Sequence, residues 1–393
     1  MSAPKPAAKR QARSETARAL TPSQPAQAGL EPRDSPPRGG QENLAAARHL
    51  LESTSSNKPV TSVDVARLAS VSQSAVSRTF TPGASVSEET RAKVLEAARM
   101  LGYRPNATAR TLSTRSSRMI AVVVNQLQNL FYPLVVEMLS QRLQKDGYHV
   151  LLFITDNEDA DELLLELMRY QVDGIVMAST MLSSRLAQEI AQARVPVVMF
   201  NRFSRVGHAG SISTVSSDNH GGARAAAHFL ADGGHQRVAF LAGTEDSSTN
   251  LDRERGLLDG LADRGLRLAA RALGHYAFDR AAQATLSLFL QGASSQRPDA
   301  LFVASDHMAF AAIDTLRGAL GLRVPEDVSV IGFDNVPQAE WGAYRLTTVA
   351  QDAAAMIEAT VRTLLSQLEA NVVTSEDVLV PTRLVVRESA RRP

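Results

Sequence analysis

Two stretches of this 393-residue chain hold residue types at spacings suited to reading a nucleic-acid duplex. In the first, SQSAVSRTF, the candidates are Gln73, Ser74, Ser77 and Arg78. Arg78 follows Ser74 by four residues, which places both on one helical face. An arginine presented this way to a guanine edge adds ~1 to 3 kcal/mol of discrimination. The second stretch runs Asn106-Ala-Thr-Ala-Arg110-Thr-Leu112. Asn106 suits a helix cap, Arg110 a phosphate or the minor groove, and Leu112 an apolar wedge between base pairs. So short and weakly apolar a piece makes a poor helix in water, and DNA is its expected stabiliser. Each stretch also has an ordinary reading. The first is equally the polar outer face of a three-helix bundle, and an isolated Leu112 packs as readily against a neighbouring domain.

Residues arranged for covalent chemistry are harder to find. The chain has no cysteine, so thiolate nucleophiles, thiolate zinc sites and disulfides are excluded. It contains no phosphate-binding glycine loop, no GxSxG elbow, no HExxH and no glycine-rich dinucleotide fingerprint after a strand. Its eight histidines are scattered without metal spacing. Asp156 with Asp159, or Asp161 with Glu162, read better as exposed acids at a helix start than as a catalytic pair. The expectation is a binding protein, not an enzyme, with no cofactor and no metal.

The elements that must position the first stretch are legible from their ends. Thr61 and Asp64 make a capping box, with Val60 and Val65 as its hydrophobic staple, so a helix should run to about Ala69. Ser72 caps a second helix through about Thr79, again with a staple, between Val71 and Val76. A third is capped at Ser87 and stops at Gly102, with Val94, Ala97, Ala98 and Leu101 on its buried face. Together these form a helix-turn-helix layout whose second helix would enter the major groove. Upstream, residues 1–58 are rich in Pro, Ala, Ser and Arg through Gly40 and poor in large apolar residues, which predicts a disordered basic tail. Leu44 to Leu51 is a short helical candidate within it.

From Met119 the texture changes. Apolar runs MIAVVV, HVLLFI, DGIVMAS, RVAFLAG, ALFVAS and VSVIGF alternate with amphipathic helical stretches, the pattern of parallel sheets covered by helices. Two open α/β units in succession are expected. Charge follows the same division. Residues 59–118 carry nine basic and four acidic residues, and residues 119–393 carry twenty-four and thirty-two. A basic module joined to an acidic body points to a polyanion partner for the module. No apolar run approaches the ~18 residues that span a bilayer, and Met1 to Gly40 lacks the apolar stretch of a signal peptide, so a cytoplasmic location is expected.

The ordered blocks VTSVDVARLASVSQSAVSR, VSEETRAKVLEAARMLGYRPN and ATARTL closely resemble the headpiece of the lactose/galactose repressor family. The resemblance continues through GGHQRVAFLAG, SDHMAFAAIDTLRGALGLRVPEDVSVIGFDN and LTTVAQD to about Glu388. It implies an all-α helix-turn-helix DNA-binding domain over 59–105, a hinge helix and linker over 106–118, and an α/β core of periplasmic-binding-protein-like type over 119–393. That core would have two doubly wound subdomains, one of about 119–218 with 335–350, the other of about 219–334 with 351–393. The crossovers would lie near Asp218, Asp334 and Gln351.

The resemblance also assigns roles. Gln73, Ser74, Ser77, Arg78, Asn106, Arg110 and Leu112 become DNA contacts, with Leu112 the central minor-groove wedge. Phe131, Tyr132, Arg202, Thr249, Arg253, Tyr276 and Asp306 become the lining of an effector cleft. Aromatic faces with Arg and Asp suit a polyhydroxylated ligand, a sugar or sugar acid. The implied partners are near-palindromic double-stranded operator DNA, that effector, and a second copy of the chain. The implied function is effector-controlled transcriptional regulation, by repression, of a sugar or sugar-acid operon; the alternative is a sugar-binding protein without specific DNA recognition. The chain departs from the family at Tyr344-Arg345, where proline often precedes the LTT block, and Trp341 stands nearby with either a pocket or a loop-packing role.

Overall fold

Thr61 begins the first helix, α1 (Ser62–Ala69), by a reciprocal cap: its hydroxyl accepts from the Asp64 amide while Asp64 accepts from the Thr61 amide. The Ser72 hydroxyl accepts from the Ala75 amide and starts α2 (Gln73–Thr79), and Ser87 starts α3 (Glu88–Leu101), which ends on Gly102 in the left-handed conformation. Val65, Ala66, Ala69, Val76, Val94, Ala97, Ala98 and Leu101 form their common core. This is a computed structural model, and it describes residues 59–81, 83–105, 116–155, 162, 166–178, 188–189, 192–202, 212–291 and 294–393. The expected tail over 1–58 and the expected hinge helix, with Asn106, Arg110 and Leu112, lie outside the described residues. The chain divides into two compact units, Met1–Asn106 and Ala107–Pro393.

The larger unit is built on two six-stranded sheets. The first contains β1 (Met119–Val124), β2 (His149–Ile154), β3 (Gly174–Ala178), β4 (Val197–Phe200), β5 (Ile212–Ser217) and β11 (Asp377–Val380), all parallel, in the order β11-β5-β4-β3-β1-β2. The second contains β6 (Val238–Ala242), β7 (Ala270–Leu273), β8 (Ala300–Val303), β9 (Ser329–Asp334), β10 (Thr347–Gln351) and β12 (Thr382–Val385) in the order β12-β10-β9-β8-β6-β7, with only β12 antiparallel. The central strands are buried on both faces, as parallel strands under helices must be. The covering helices are α4 (Phe131–Lys145), α5 (Asn219–Asp232), α6 (Ser248–Ala262), α7 (Phe278–Leu290), α8 (Asp306–Asp314) and α9 (Ala353–Ala370).

The chain crosses between lobes after β5 near Asp218 and after β10 near Gln351, as expected, but not near Asp334. The third crossing is the Pro381 link between β11 and β12. The reason lies in the pairing of β10, whose Thr347 to Ala350 run parallel to Ile331 to Asp334 of β9 and so hold residues 335–350 in the second lobe. The α9 helix and β11 return to the first lobe, β11 pairing with β5. The Tyr344-Arg345 loop is therefore a connection within one sheet.

The site-bearing helices α5 and α6 pack closely enough to demand glycine. A Cβ on Gly256 would lie 2.1 Å from the carbonyl oxygen of His220, and one on Gly260 would lie 2.8 Å from that of Arg224. Backbone cannot retreat as a flexible side chain can. Gly256→Ala is expected to destabilise the protein by ~1 to 3 kcal/mol through this overpacking, read as a lower midpoint in thermal unfolding of the full-length chain. An unchanged midpoint would show that the helix pair tolerates separation.

Candidate functional site

In the small unit, α2 presents Gln73, Ser74, Ser77 and Arg78 as exposed side chains while Ala75, Val76 and Thr79 turn inward. Local bonds preset their positions. Gln73 Nε2 donates to the Ser62 hydroxyl at 3.1 Å, the Ser72 and Ser74 hydroxyls share a bond of 2.9 Å, and Arg78 Nε donates to the Ser74 carbonyl at 3.3 Å. Arg78 thus lies back along its helix with its terminal nitrogens available for a duplex.

In the large unit, a narrow cleft is lined by residues that follow the carboxyl ends of strands in both lobes. That is where open parallel sheets place their ligands. From the first lobe come Gln126 and Asn129 after β1, Phe131 and Tyr132 at the start of α4, and Asn201 and Arg202 after β4. From the second come Thr249 and Arg253 on α6, Tyr276 after β7, and Asp334 at the end of β9. Six of the seven expected cleft residues therefore meet at one place. Arg202 Nη1 donates to the Thr249 hydroxyl at 2.6 Å, a bond that joins the two lobes across the cleft.

Arg253, 2% exposed, is the most heavily held of these side chains. Its Nε donates to Asn219 Oδ1 at 2.8 Å and its Nη1 to the Ala304 carbonyl. The guanidinium stands 3.7 Å from the Phe333 ring centroid and 3.7 Å from Asp334 Oδ1. Asp334 Oδ1 also accepts from Gln351 Nε2 at 2.7 Å, and Gln351 Oε1 accepts from the Ser217 hydroxyl, so residues at two crossovers stand behind the site.

Asp306 does not reach the cleft. It is completely buried one layer behind it, where Oδ1 accepts from the Thr348 hydroxyl at 2.5 Å and Oδ2 from the Val336 amide at 2.9 Å. Its place at the cleft wall is taken by Asp334, which sequence reasoning read only as a crossover. The signal was present in GFDN: a polar residue ending an apolar strand has no reason to sit there for packing. Gln126, Asn129 and Asn201 were missed as well, each just past the end of an apolar run. Trp341 is 58% exposed and lines no part of this cleft.

Four lining residues share two further properties. Gln126, Asn201, Tyr276 and Asp334 all have positive φ, at 63, 55, 56 and 132 degrees. The same four carry buried polar atoms without a hydrogen-bond partner among the described residues: Gln126 Oε1, Asn201 Oδ1, the Tyr276 hydroxyl and Asp334 Oδ2. Strain and unmet hydrogen bonding concentrate at functional sites, and here they coincide at the same four residues. The two amide oxygens are acceptors, while the Tyr276 hydroxyl and a protonated Asp334 can also donate, so the set suits a ligand rich in hydroxyls, which both donate and accept.

Burial pushes Asp334 up to about 8, with Arg253 pulling it down and Asp306 pushing it further up; burial likewise raises Asp306 to about 6. Two carboxyls this close titrate as a unit. An unfolded aspartate releases its proton near ~3.9, so the folded pair binds the extra proton between that value and about 8. The stability it contributes is complete below pH ~4 and is lost as pH rises through about 8. Asp334→Asn should therefore gain thermal stability relative to the parent as pH rises from about 5 to about 9. Parallel pH profiles for the two proteins would refute the raised carboxyl.

Among the described residues, no helix is long and apolar enough to cross a membrane, and no group of three or more His, Asp or Glu side chains is placed to hold a metal.

Residues 62–106 match the family described as bacterial regulatory proteins, lacI family, and residues 226–390 match a periplasmic binding protein-like domain. The chain is 32% identical over 337 residues to catabolite control protein A of Priestia megaterium, covering 84% of this chain and 99% of that protein. It is 33% identical over 333 residues to the HTH-type transcriptional regulator CelR of Thermobifida fusca, covering 83% and 96%. Among solved structures, it is similar to the lac repressor dimer bound to operator and the anti-inducer ONPF, with a TM-score of 0.74, 27% identity, and coverage of 84% and 99%. It is also similar to a CelR–cellobiose complex, with a TM-score of 0.64, 31% identity, and coverage of 84% and 99%.

Proposed function

The chain belongs to the lacI family of bacterial regulatory proteins, and we propose that it represses a sugar or sugar-acid operon as a homodimer whose operator affinity is set by an effector held between its two lobes. The observation that carries the effector half of this reading is the set of four strained, unpartnered polar residues around the cleft. Gln73, Ser74, Ser77 and Arg78 read bases; Asn106, Arg110 and Leu112 form the hinge, with Leu112 wedged into the minor groove between half-sites. The relatives are regulators, and we read the cleft as a binding site that carries out no reaction, in a protein working in the cytoplasm. The domain limits in this reading are 59–105, 106–118 and 119–393.

The first test is to sequence the genomic fragments retained by the purified full-length protein. A shared near-palindrome beside transport or catabolic genes is expected. No enrichment, with or without a panel of sugars and sugar acids, would leave a sugar-binding protein without specific DNA recognition as the better account.

Effector and DNA must also be reciprocal: whatever factor the effector changes operator affinity by, operator must change effector affinity by the same factor. Tyr276→Phe isolates the cleft's part in this. Its hydroxyl has no partner among the described residues, so removing it costs the folded chain no hydrogen bond. The variant should fold and hold operator as the parent does, yet bind a sugar identified by thermal shift about tenfold more weakly. Unaltered sugar affinity would move the effector elsewhere.

A further inference from the structure

The body of the protein, residues 119–393, is acidic, with thirty-two acidic against twenty-four basic residues. Against that background one surface depression of the second lobe is out of character. It gathers five arginines, Arg317, Arg345, Arg387, Arg391 and Arg392, against two glutamates, Glu326 and Glu388. No lysine lines it. Arginine alone offers a planar fork that matches phosphate oxygens two at a time, whereas lysine offers a point charge.

The depression is separate from the effector cleft. Pro325 and Glu326 precede β9, and Tyr344 and Arg345 precede β10, so it gathers where strands enter the second sheet; the cleft lies where they leave it. None of its lining residues lines the cleft.

Two of the five arginines are committed to structure. Arg345 Nε pairs with Glu388 at 3.0 Å; Arg387 donates to the Leu346 carbonyl, Asn335 Oδ1 and Glu340. The other three pair with no carboxylate among the described residues. Arg317 is oriented by neutral carbonyls, those of Ala343 and Val324. It belongs to the turn Thr315–Ala319, where α8 widens into a π-helix, a distortion frequent at functional sites. Arg391 is oriented by its backbone, which donates to the Ser329 hydroxyl, and by a 2.9 Å contact between Nη2 and the buried His235 Nδ1. Arg392 is exposed, with no hydrogen bond or ion pair among the described residues. All three are exposed and pair with no carboxylate among the described residues, so they give the depression a positive charge that an anion would balance. Tyr344, set on Phe310 with ring centroids 4.4 Å apart, and Val324, Pro325 and Ala390 add an apolar flank for the organic part of a ligand.

We propose that this depression is a second ligand site, for a phosphorylated small molecule, with Arg317, Arg391 and Arg392 on the phosphate and the Tyr344 flank against its organic portion. Calorimetry on the full-length protein tests this at near-physiological salt, where screening over ~8 Å suppresses diffuse attraction. The probes are inorganic pyrophosphate, ribose 5-phosphate, and ribose as the uncharged control. Pyrophosphate and ribose 5-phosphate are expected to saturate a single site. Both should bind at least tenfold more weakly in Arg391→Gln/Arg392→Gln and in Arg392→Glu, the latter touching no bond of the fold. Tyr276→Phe, in the other cleft, should leave phosphate affinity unchanged while it weakens sugar binding. Binding by pyrophosphate alone would keep the anion site and remove the organic portion from it. Failure of both phosphates to bind, affinity undiminished in the arginine variants, or equal binding of ribose would overturn the proposal.

Discussion

The core of this protein is organised around one buried charge. An arginine cannot discard its proton to escape a low-dielectric interior, so Arg253 at 2% exposure must be given partners on every side. They come from three separate segments: Asn219 at the start of α5, Ala304 after β8, and Phe333 and Asp334 at the end of β9. The close packing of α5 on α6 at Gly256 brings Asn219 within reach, and Gln351 at the lobe crossover steadies Asp334 from behind. Removing any one of these leaves a desolvated charge short of a partner, which is why the second lobe's strand ends and the crossover are bound into one arrangement.

Much of this was legible in sequence because its causes are local. Caps at Thr61, Ser72 and Ser87, the stop at Gly102 and the alternation of apolar runs with amphipathic helices all act within a few residues, and the structure has these features where the sequence put them. What escaped depends on distant pairing. Residues 335–350 look like a return to the first lobe until the register of β10 on β9 is known. Asp306 and Asp334 are both single acids near an apolar strand, and only the tertiary layering shows that one faces the cleft while the other lies behind it. The basic depression is assembled from α8, two loops and the segment after β12, so no window of sequence contains it.

The strained residues explain why the cleft sits where it does. A non-glycine residue in a sparsely populated backbone region costs of order 1 to 3 kcal/mol and persists only where the surroundings impose it. Here the surroundings are buried parallel strands, whose last residues have no freedom to relax: Asn201 directly follows β4 and Asp334 closes β9. The sheets thus fix the direction of side chains whose own preferences differ, and the same rigidity keeps their polar atoms from finding partners nearby.

On the proposed reading, those unmet polar atoms are where an effector would act on the balance between lobe arrangements. Leaving a buried donor or acceptor unpaired costs ~1 to 3 kcal/mol, and four such atoms surround the cleft while Arg202 holds Thr249 across it. Together they disfavour closure by roughly 4 to 12 kcal/mol unless something bonds to them. Moving a two-state equilibrium from 1:99 to 99:1 takes about 5.5 kcal/mol. A ligand that satisfies all four atoms covers that requirement over most of the range, whereas satisfying only two, roughly 2 to 6 kcal/mol, reaches it only at the upper end. The hinge segment joins this machinery at Ser116 to Arg118, where Asp173, next to β3 in the first lobe, accepts from the Ser117 and Arg118 amides at 2.7 and 3.0 Å. These bonds tie the residues just before β1 to the first lobe's sheet.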